Sequence, residues 1–489
     1  MQPRGSFITY CKQQKHYLWW ALITGFLYFI ILRLLYPVPS YFADSFTYVG
    51  AAASNRWVSF RPVMYSKLIQ FFRLLSTSEI ALVAGQYFSI LLANLFLFFS
   101  ASWLFQFNKW KKNLLFAILV MHPFFLFSAN YISSDAFFTS FTSGWFTLLL
   151  WIMYKPKWYI ILLHVVLLMM VFMLRYNAIY FPFITAIALV FSPLSRMKKS
   201  GILVVIAALI FTFIEYTGRA TEKFVGTKVF TAFSGWQFAN NALHIVRFEE
   251  IDTTEIKDKS VKELLRYSQQ YFHSSKDTIP VNATAWYMWH PNSPLKKYMK
   301  VRYPKTAYFK TWNTLAPVYE KFGKTIILQN PTAYVQHFVW PNTKEYFLPR
   351  LEIYDTYFEN VDTVAKVATK YYLYKNNKAS EHKPAVYAIA FTGWPQLFLF
   401  VNIALLLAGT WYIIKRKYLY YSKLINQFLL LFAAFFAANF LFIVLLAPSV
   451  LRYHIPVLTV ALPVAMFLVS PVVRSKQKKY GWVEKTGKV

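Results

Sequence analysis

Asp44, Asp135, Arg175 and Arg452 each stand at the edge of a long apolar run, where an ionisable side chain costs several kcal/mol unless it is paired or wet. A carboxylate beside arginines at a boundary of lipid and water suits a phosphate-bearing lipid head group. Arginine grips phosphate oxygens bidentately, and the carboxylate can take the proton of an incoming hydroxyl. Arg61, followed by Pro62 before a helical pattern, is a further phosphate candidate. Each residue also has a plainer role. Asp44 could cap a helix beginning at Ser45 or Phe46, and Ser133, Ser134 and Asp135 together supply caps and favourable charge for a helix start. The arginines could snorkel to lipid head groups. His454, two residues after Arg452, could assist with phosphate if wet or serve as a hydrogen-bonded structural group. Shared placement on one side of a membrane is what would turn these separate residues into a site.

That placement depends on the elements between them. The chain is 57% hydrophobic and 20% aromatic, more than one soluble core of this length needs. Its apolar residues gather in runs of roughly 18–25, the length that crosses about 30 Å of hydrocarbon. Runs near 17–36, 80–105, 113–131, 136–154, 158–174, 178–192, 201–216, 389–414, 424–447 and 454–471 predict a mainly α polytopic bundle of about ten transmembrane helices. Ten crossings put both termini and the basic connections at Asn108–Asn113, Lys155–Lys157, Arg196–Lys199 and Lys415–Lys417 on one side, with the tail from Arg474. That regular alternation of Lys and Arg predicts cytoplasmic termini and accounts for much of the formal net charge of +32, which in a soluble protein would suggest nucleic acid. Asp44, Asp135, Arg175 and Arg452 then all face outward. The first run, after Arg4, Lys12 and Lys15, lacks the small-residue cleavage site of a secretory signal and reads as a retained helix.

Three modules follow: an N-terminal membrane module over 1–216, an extracytoplasmic soluble domain over 217–388, and a C-terminal membrane module with a basic tail over 389–489. Apart from Asp44, Glu79, Asp135, Glu215 and Glu484, every acidic residue lies in the middle module. The stretch 61–76, RPVMYSKLIQFFRLLS, has apolar residues at helical spacing around Lys67 and Arg73, as an interfacial amphipathic helix would. Cys11 is the only cysteine, which leaves no intrachain disulfide and no cysteine metal cluster. His122, before Pro123, fits a hydrogen bond at a helix kink. His244, His290 and His337 lack paired spacing, so no dedicated metal site is supported, though carboxylates and phosphate could hold a divalent ion. In the middle module, GWQFANNALHIVRF from Gly235 and AWYMWHPNSP from Ala285 set tryptophans beside amides, which suits either sugar contact or ordinary packing. The sequon Asn282-Ala283-Thr284 would matter only in a eukaryotic secretory compartment.

Four blocks resemble the GT-C superfamily of polytopic glycosyltransferases, which take sugars from polyprenyl-phosphate carriers, as the protein mannosyltransferase and aminoarabinose transferase families do. ADSFTYVGAA from Ala43, followed by FRPVMYSKL from Phe60, is similar to the first outer loop of that superfamily, with its acidic residue, nearby tyrosine and Arg-Pro pair. NYISSDAFFTSF from Asn130 is similar to the Ser and acidic residue that open the fourth helix. LRYNAIYFP from Leu174 carries Tyr176 where many relatives have proline after the arginine. LRYHIPVLTVALP from Leu451 is similar to the Arg-Tyr-x-x-Pro start of a late helix.

The resemblance implies a GT-C type bundle and a glycosyltransferase that moves one sugar from a lipid-phosphate donor to a protein, lipid or glycan acceptor outside the cytoplasm. It implies Asp44 as catalytic base, with Arg61, Arg175 and Arg452 as donor-phosphate ligands and Tyr48, Asp135 and His454 as further site positions. It leaves metal dependence open and makes a bacterial inner membrane the expected setting, with 217–388 periplasmic. A glycan polymerase or ligase shares the polytopic architecture, but the first-loop carboxylate argues against it. A flippase or transporter should carry its ionisable or broken positions near the midplane, whereas these charges gather at the rim. A noncatalytic scaffold would tolerate changes at Asp44 and Arg452.

Overall fold

The computed structural model describes residues 5–274, 285–355, 357, 363–378 and 389–470; the sequon at Asn282 and the tail from Arg474 lie outside them. Of the described residues 77% are helical, and none of them forms a strand. Its principal helices, numbered in chain order, are α1 (Lys15–Leu35), α2 (Ala43–Ala53), α3 (Met64–Leu75), α4 (Ile80–Leu104), α5 (Lys109–Ala129), α6 (Asp135–Tyr154), α7 (Trp158–Leu174), α8 (Tyr176–Phe191) and α9 (Arg196–Val225). After them come α10 (Ala232–Val246), α11 (Lys259–Ser274), α12 (Tyr308–Gln329), α13 (Trp340–Phe347), α14 (Ile389–Ile414), α15 (Lys423–Leu446) and α16 (Leu451–Leu468).

Among the described residues eight helices, α1, α4, α5, α6, α9, α14, α15 and α16, are long and apolar enough to cross a membrane, as an integral membrane protein requires. The expectation was about ten. The difference falls at α7 and α8, which are apolar but shorter, because the Arg175 segment interrupts the run with a 3-10 turn over Tyr176–Tyr180. Lipid-facing composition is plain on α9, where Val204, Val205 and Phe211 are exposed and no aqueous surface would favour them. α6 and α16 are the buried centre of the bundle. In α5 a π turn over Ala117–Met121 runs into Pro123, and the freed Phe124 N–H donates to His122 Nδ1 at 3.1 Å, the kink role expected of that histidine.

The polar insert begins later than residue 216. α9 continues to Val225 and ends at Gly226, whose φ of +83° closes the helix in the left-handed conformation that glycine adopts without strain. The insert builds its own apolar cluster from Ala232 to Phe338. Its centre is α10 against α12, which can touch backbone to backbone because Gly235 faces Ala316 and Gly323 faces Phe238; a Cβ at either glycine would collide with the facing chain. Tyr346, Tyr354, Val364, Ala368 and Tyr372 instead join the core of the membrane helices, and the short helix Lys366–Tyr372 packs on α2.

The insert also finishes a membrane helix. Ile443 O accepts the last backbone bond of α15, from Ala447 N at 3.1 Å; the carbonyls after it have no partner within the helix, and side chains of the insert bond to this end. Asn342 Nδ2 donates to Ile443 O and Ala447 O, both at 2.8 Å, while its Oδ1 accepts from Ser449 N at 3.0 Å. Asn241 Nδ2 donates to Leu446 O at 3.3 Å, and the Tyr334 hydroxyl donates to Leu445 O. Asn342 is fully buried, so Asn342→Leu strands buried donors and acceptors at about 1–3 kcal/mol each. We expect the variant to unfold several degrees below wild type in a detergent thermal scan; an unchanged midpoint would show that these caps carry no stability.

Candidate active site

Two backbone bridges and two side-chain bonds between helices bring the site together. Ser40 pairs with the segment after α5, accepting from Ile132 N at 3.0 Å and donating its N–H to Asn130 O at 2.8 Å, which sets the start of α2 beside the start of α6. Leu451 N donates to Arg350 O at 3.0 Å, which ties the start of α16 to the segment Arg350–Glu352. α3 is fastened beneath α2 by Ser66 Oγ donating to Tyr48 O at 3.0 Å and by Gln70 Nε2 donating to Ala52 O at 2.8 Å. Asp44, Asp135, Arg175 and Arg452 thereby arrive at one end of the bundle, with Arg61 beside them.

They form an ion cluster. Arg61 Nη2 is bonded to Asp44 Oδ1, and Arg175 Nη1 to Asp135 Oδ1. Arg452 Nη1 stands between the two carboxylates, 3.7 Å from Asp44 Oδ2 and 3.7 Å from Asp135 Oδ2, and its Nε meets Glu352 Oε2 at 2.6 Å. Aromatic faces hold the guanidiniums in place: Arg175 lies 4.5 Å from the Tyr453 ring centroid, and Arg61 lies 4.6 Å from that of Trp289. Burial alone would push the Asp44 carboxyl up, but Arg61, Arg452 and Arg175 outweigh it and hold Asp44 below the usual carboxylate range. Burial pushes the Tyr48 phenol up, leaving it a neutral hydroxyl that pairs with Ser134 Oγ at 3.1 Å.

All five charged residues other than Glu352, together with Tyr48, line one cavity of about 340 Å³. Its walls differ in character. Arginines and aspartates form one side. Ile179, Phe442 and Leu446 form an apolar side, where Ile179 and Leu446 are exposed. Thr231, Phe233, Ser234 and Gln237 of the insert also line it, with the Phe233 ring centroid 5.5 Å from the Arg61 guanidinium.

Six of the seven residues singled out from sequence therefore meet here. His454 does not. It is fully buried, its Nε2 pairs with Ser449 Oγ at 2.8 Å, and its ring packs against Tyr346 and Phe398, because two residues along a helix turn the side chain about 200°. The capping alternative for Asp44 also fails: α2 starts at Ala43, and Ser45 Oγ accepts from Phe42 N at 3.1 Å, leaving Asp44 to the arginines. Of the tryptophans, Trp236 is buried and stacked on Trp312 at 3.9 Å, so it offers no face to a sugar. Trp289 is 40% exposed and stacks on Arg61. Glu352 was not foreseen; Gln237 lies in the stretch from Gly235 read as tryptophan beside amides, and it, rather than Trp236, is the residue of that pair that lines the cavity. Among the described residues no group of three or more His, Cys, Asp or Glu side chains gathers in a metal-holding arrangement; Asp44 and Asp135 are the carboxylates that line the cavity, and both are engaged by guanidiniums. Compared with known families, with curated proteins and with solved structures, the chain matches none.

Proposed function

We propose that this chain is a membrane glycosyltransferase of GT-C type that moves a single sugar from a polyprenyl-phosphate donor to an acceptor on the extracytoplasmic face. The observation that carries the reading is the cavity in which Asp44, Arg61, Asp135, Arg175 and Arg452 meet beside an apolar wall. Three guanidiniums suit a phosphodiester. Ile179, Phe442 and Leu446 suit the isoprenoid that leaves it sideways into lipid. About 340 Å³ leaves room for one sugar unit next to a phosphate, at the small end of ligand sites.

The acceptor hydroxyl forms a bond to the anomeric carbon as the bond from that carbon to the phosphate oxygen breaks, and the electron pair leaves with the polyprenyl phosphate. Asp44 takes the hydroxyl proton. A carboxylate held by guanidiniums is a weak base, and the donor removes that restraint: phosphate oxygens compete for Arg61 and Arg452, so Asp44 is released as its substrate arrives. The same arginines then stabilise the charge on the departing phosphate. The basic short connections favour cytoplasmic termini, and a bacterial inner membrane is the setting that the resemblance favours.

The test is purified protein in liposomes, given labelled polyprenyl-phosphate sugars and a membrane extract as acceptor source. Label should move from the lipid to a non-lipid product. Label that crosses the bilayer while remaining on its lipid would instead identify a flippase.

A further inference from the structure

α10 carries a polar stripe into the cavity. Thr231, Ser234 and Gln237 recur every three residues and all line it, so they share the face that α10 turns away from the core of the insert. Thr231 caps the helix, its Oγ1 accepting from Phe233 N at 3.3 Å, and Ser234 Oγ donates to Thr231 O at 3.2 Å. Gln237 is the residue with something left over. Its Oε1 is buried and has no hydrogen-bond partner, in a side chain belonging to a residue only 8% exposed.

Which end of this amide is left unpaired is fixed by groups that cannot change roles. Leu446 O can only accept, so Asn241 must turn its Nδ2 toward it, at 3.3 Å. Asn241 Oδ1 then faces α10 and must receive donors. Gln237 Nε2 supplies one at 2.7 Å, and Asn240 Nδ2 supplies another at 3.2 Å. Asn240 is fixed from its own far end, because Met288 N can only donate and does so to Asn240 Oδ1 at 3.1 Å. The network, anchored on backbone at both ends, assigns the carbonyl oxygen of Gln237 as the end left without a donor, on a residue that lines the cavity. Asn177, beside Arg175, has a second buried and unpaired carbonyl oxygen, and it lines the same cavity.

A buried acceptor without a donor costs free energy in the empty protein and recovers it when a ligand brings an N–H or O–H. Accepting the transferase reading above, on which this rests, we propose that Gln237, with Asn177, determines sugar specificity by accepting hydrogen bonds from hydroxyl groups of the transferred sugar. Amide carbonyls suit neutral hydroxyls. A cationic aminosugar would need a carboxylate to itself, whereas Asp135 is paired with Arg175 and Asp44 is committed to the proton of the acceptor hydroxyl, so the substrate class is a neutral hydroxylated monosaccharide on the lipid phosphate.

The experiment measures binding to purified full-length protein of a polyprenyl phosphate without sugar, of a panel of polyprenyl-phosphate hexoses and pentoses, and of monodeoxy versions of the tightest binder. Wild type should discriminate against the deoxy analogue at one ring position by about tenfold or more, since a site built to bond a hydroxyl rejects a ligand lacking it. Gln237→Met should bind the parent sugar lipid more weakly by a similar factor, lose that discrimination, and bind the bare carrier as wild type does. Because the comparison is made within each protein, a partial folding defect cannot imitate it. Discrimination kept at every position in the variant, or equal weakening of bare carrier and sugar lipid, would overturn the proposal. Failure of wild type to bind even the bare carrier would overturn the transferase reading itself.

Discussion

Asp44→Asn lowers sugar transfer by about 10²–10⁴-fold, the usual contribution of a positioned general base, while the protein still folds and still binds a polyprenyl phosphate. The substitution removes the proton acceptor but keeps the shape, and it leaves Arg61 and Arg452 with one competitor fewer, so carrier affinity should hold or rise. Initial rates and carrier binding measured on the same preparations separate these effects. Equal transfer by variant and wild type would remove Asp44 from the mechanism. The pH dependence gives an independent check. Arg61, Arg452 and Arg175 overcome the effect of burial and lower the Asp44 pKa in the folded protein, so its contribution to stability is fully present above the ordinary carboxylate value. It is lost as pH falls through the lower folded value. Acid unfolding should therefore set in below the usual carboxylate range in wild type, and at this position Asn should flatten it.

Arg452→Gln should be the most damaging single change to stability. Arg452 serves three carboxylates, Asp44 and Asp135 at 3.7 Å and Glu352 at 2.6 Å, and removing one partner of a buried ionic group typically costs about 3–5 kcal/mol because the others stay buried and uncompensated. Arg452→Lys keeps the charge but loses the planar fork. It should recover much of the stability while leaving phosphate binding weak. Thermal unfolding and carrier titration of both variants read the two properties apart, and a Gln variant as stable as wild type would contradict the arrangement of charges described here.

The cluster was legible in sequence because Asp44, Asp135, Arg175 and Arg452 are ionisable residues at the ends of apolar runs, where lipid tolerates charge only with a reason. Alternation of basic connections then placed them on one side. Glu352 could not be read this way. It reaches Arg452 through the bridge between Arg350 and Val450, a pairing across about a hundred residues that no local pattern announces, and it does so with a φ of +56°, which sequence gives no reason to expect of glutamate. Gln237 lay inside a stretch read as tryptophan beside amides; Trp236 is buried against Trp312, and the neighbouring amide residue is the one that lines the cavity. The span count was less legible at α7 and α8, where one apolar composition continues on both sides of Arg175 while the backbone tightens between them.

The caps on α15 have a consequence for assembly. Asn241, Tyr334 and Asn342 precede that helix in the chain, so at synthesis the fitting is made before the part it receives. The insert's apolar cluster is built from residues that all precede α15, so the amides and the hydroxyl are synthesised before the carbonyls they receive. α16 follows a few residues later, so the step that seats the end of α15 also delivers Arg452 to the two aspartates: completion of the bundle and completion of the charge cluster are one event.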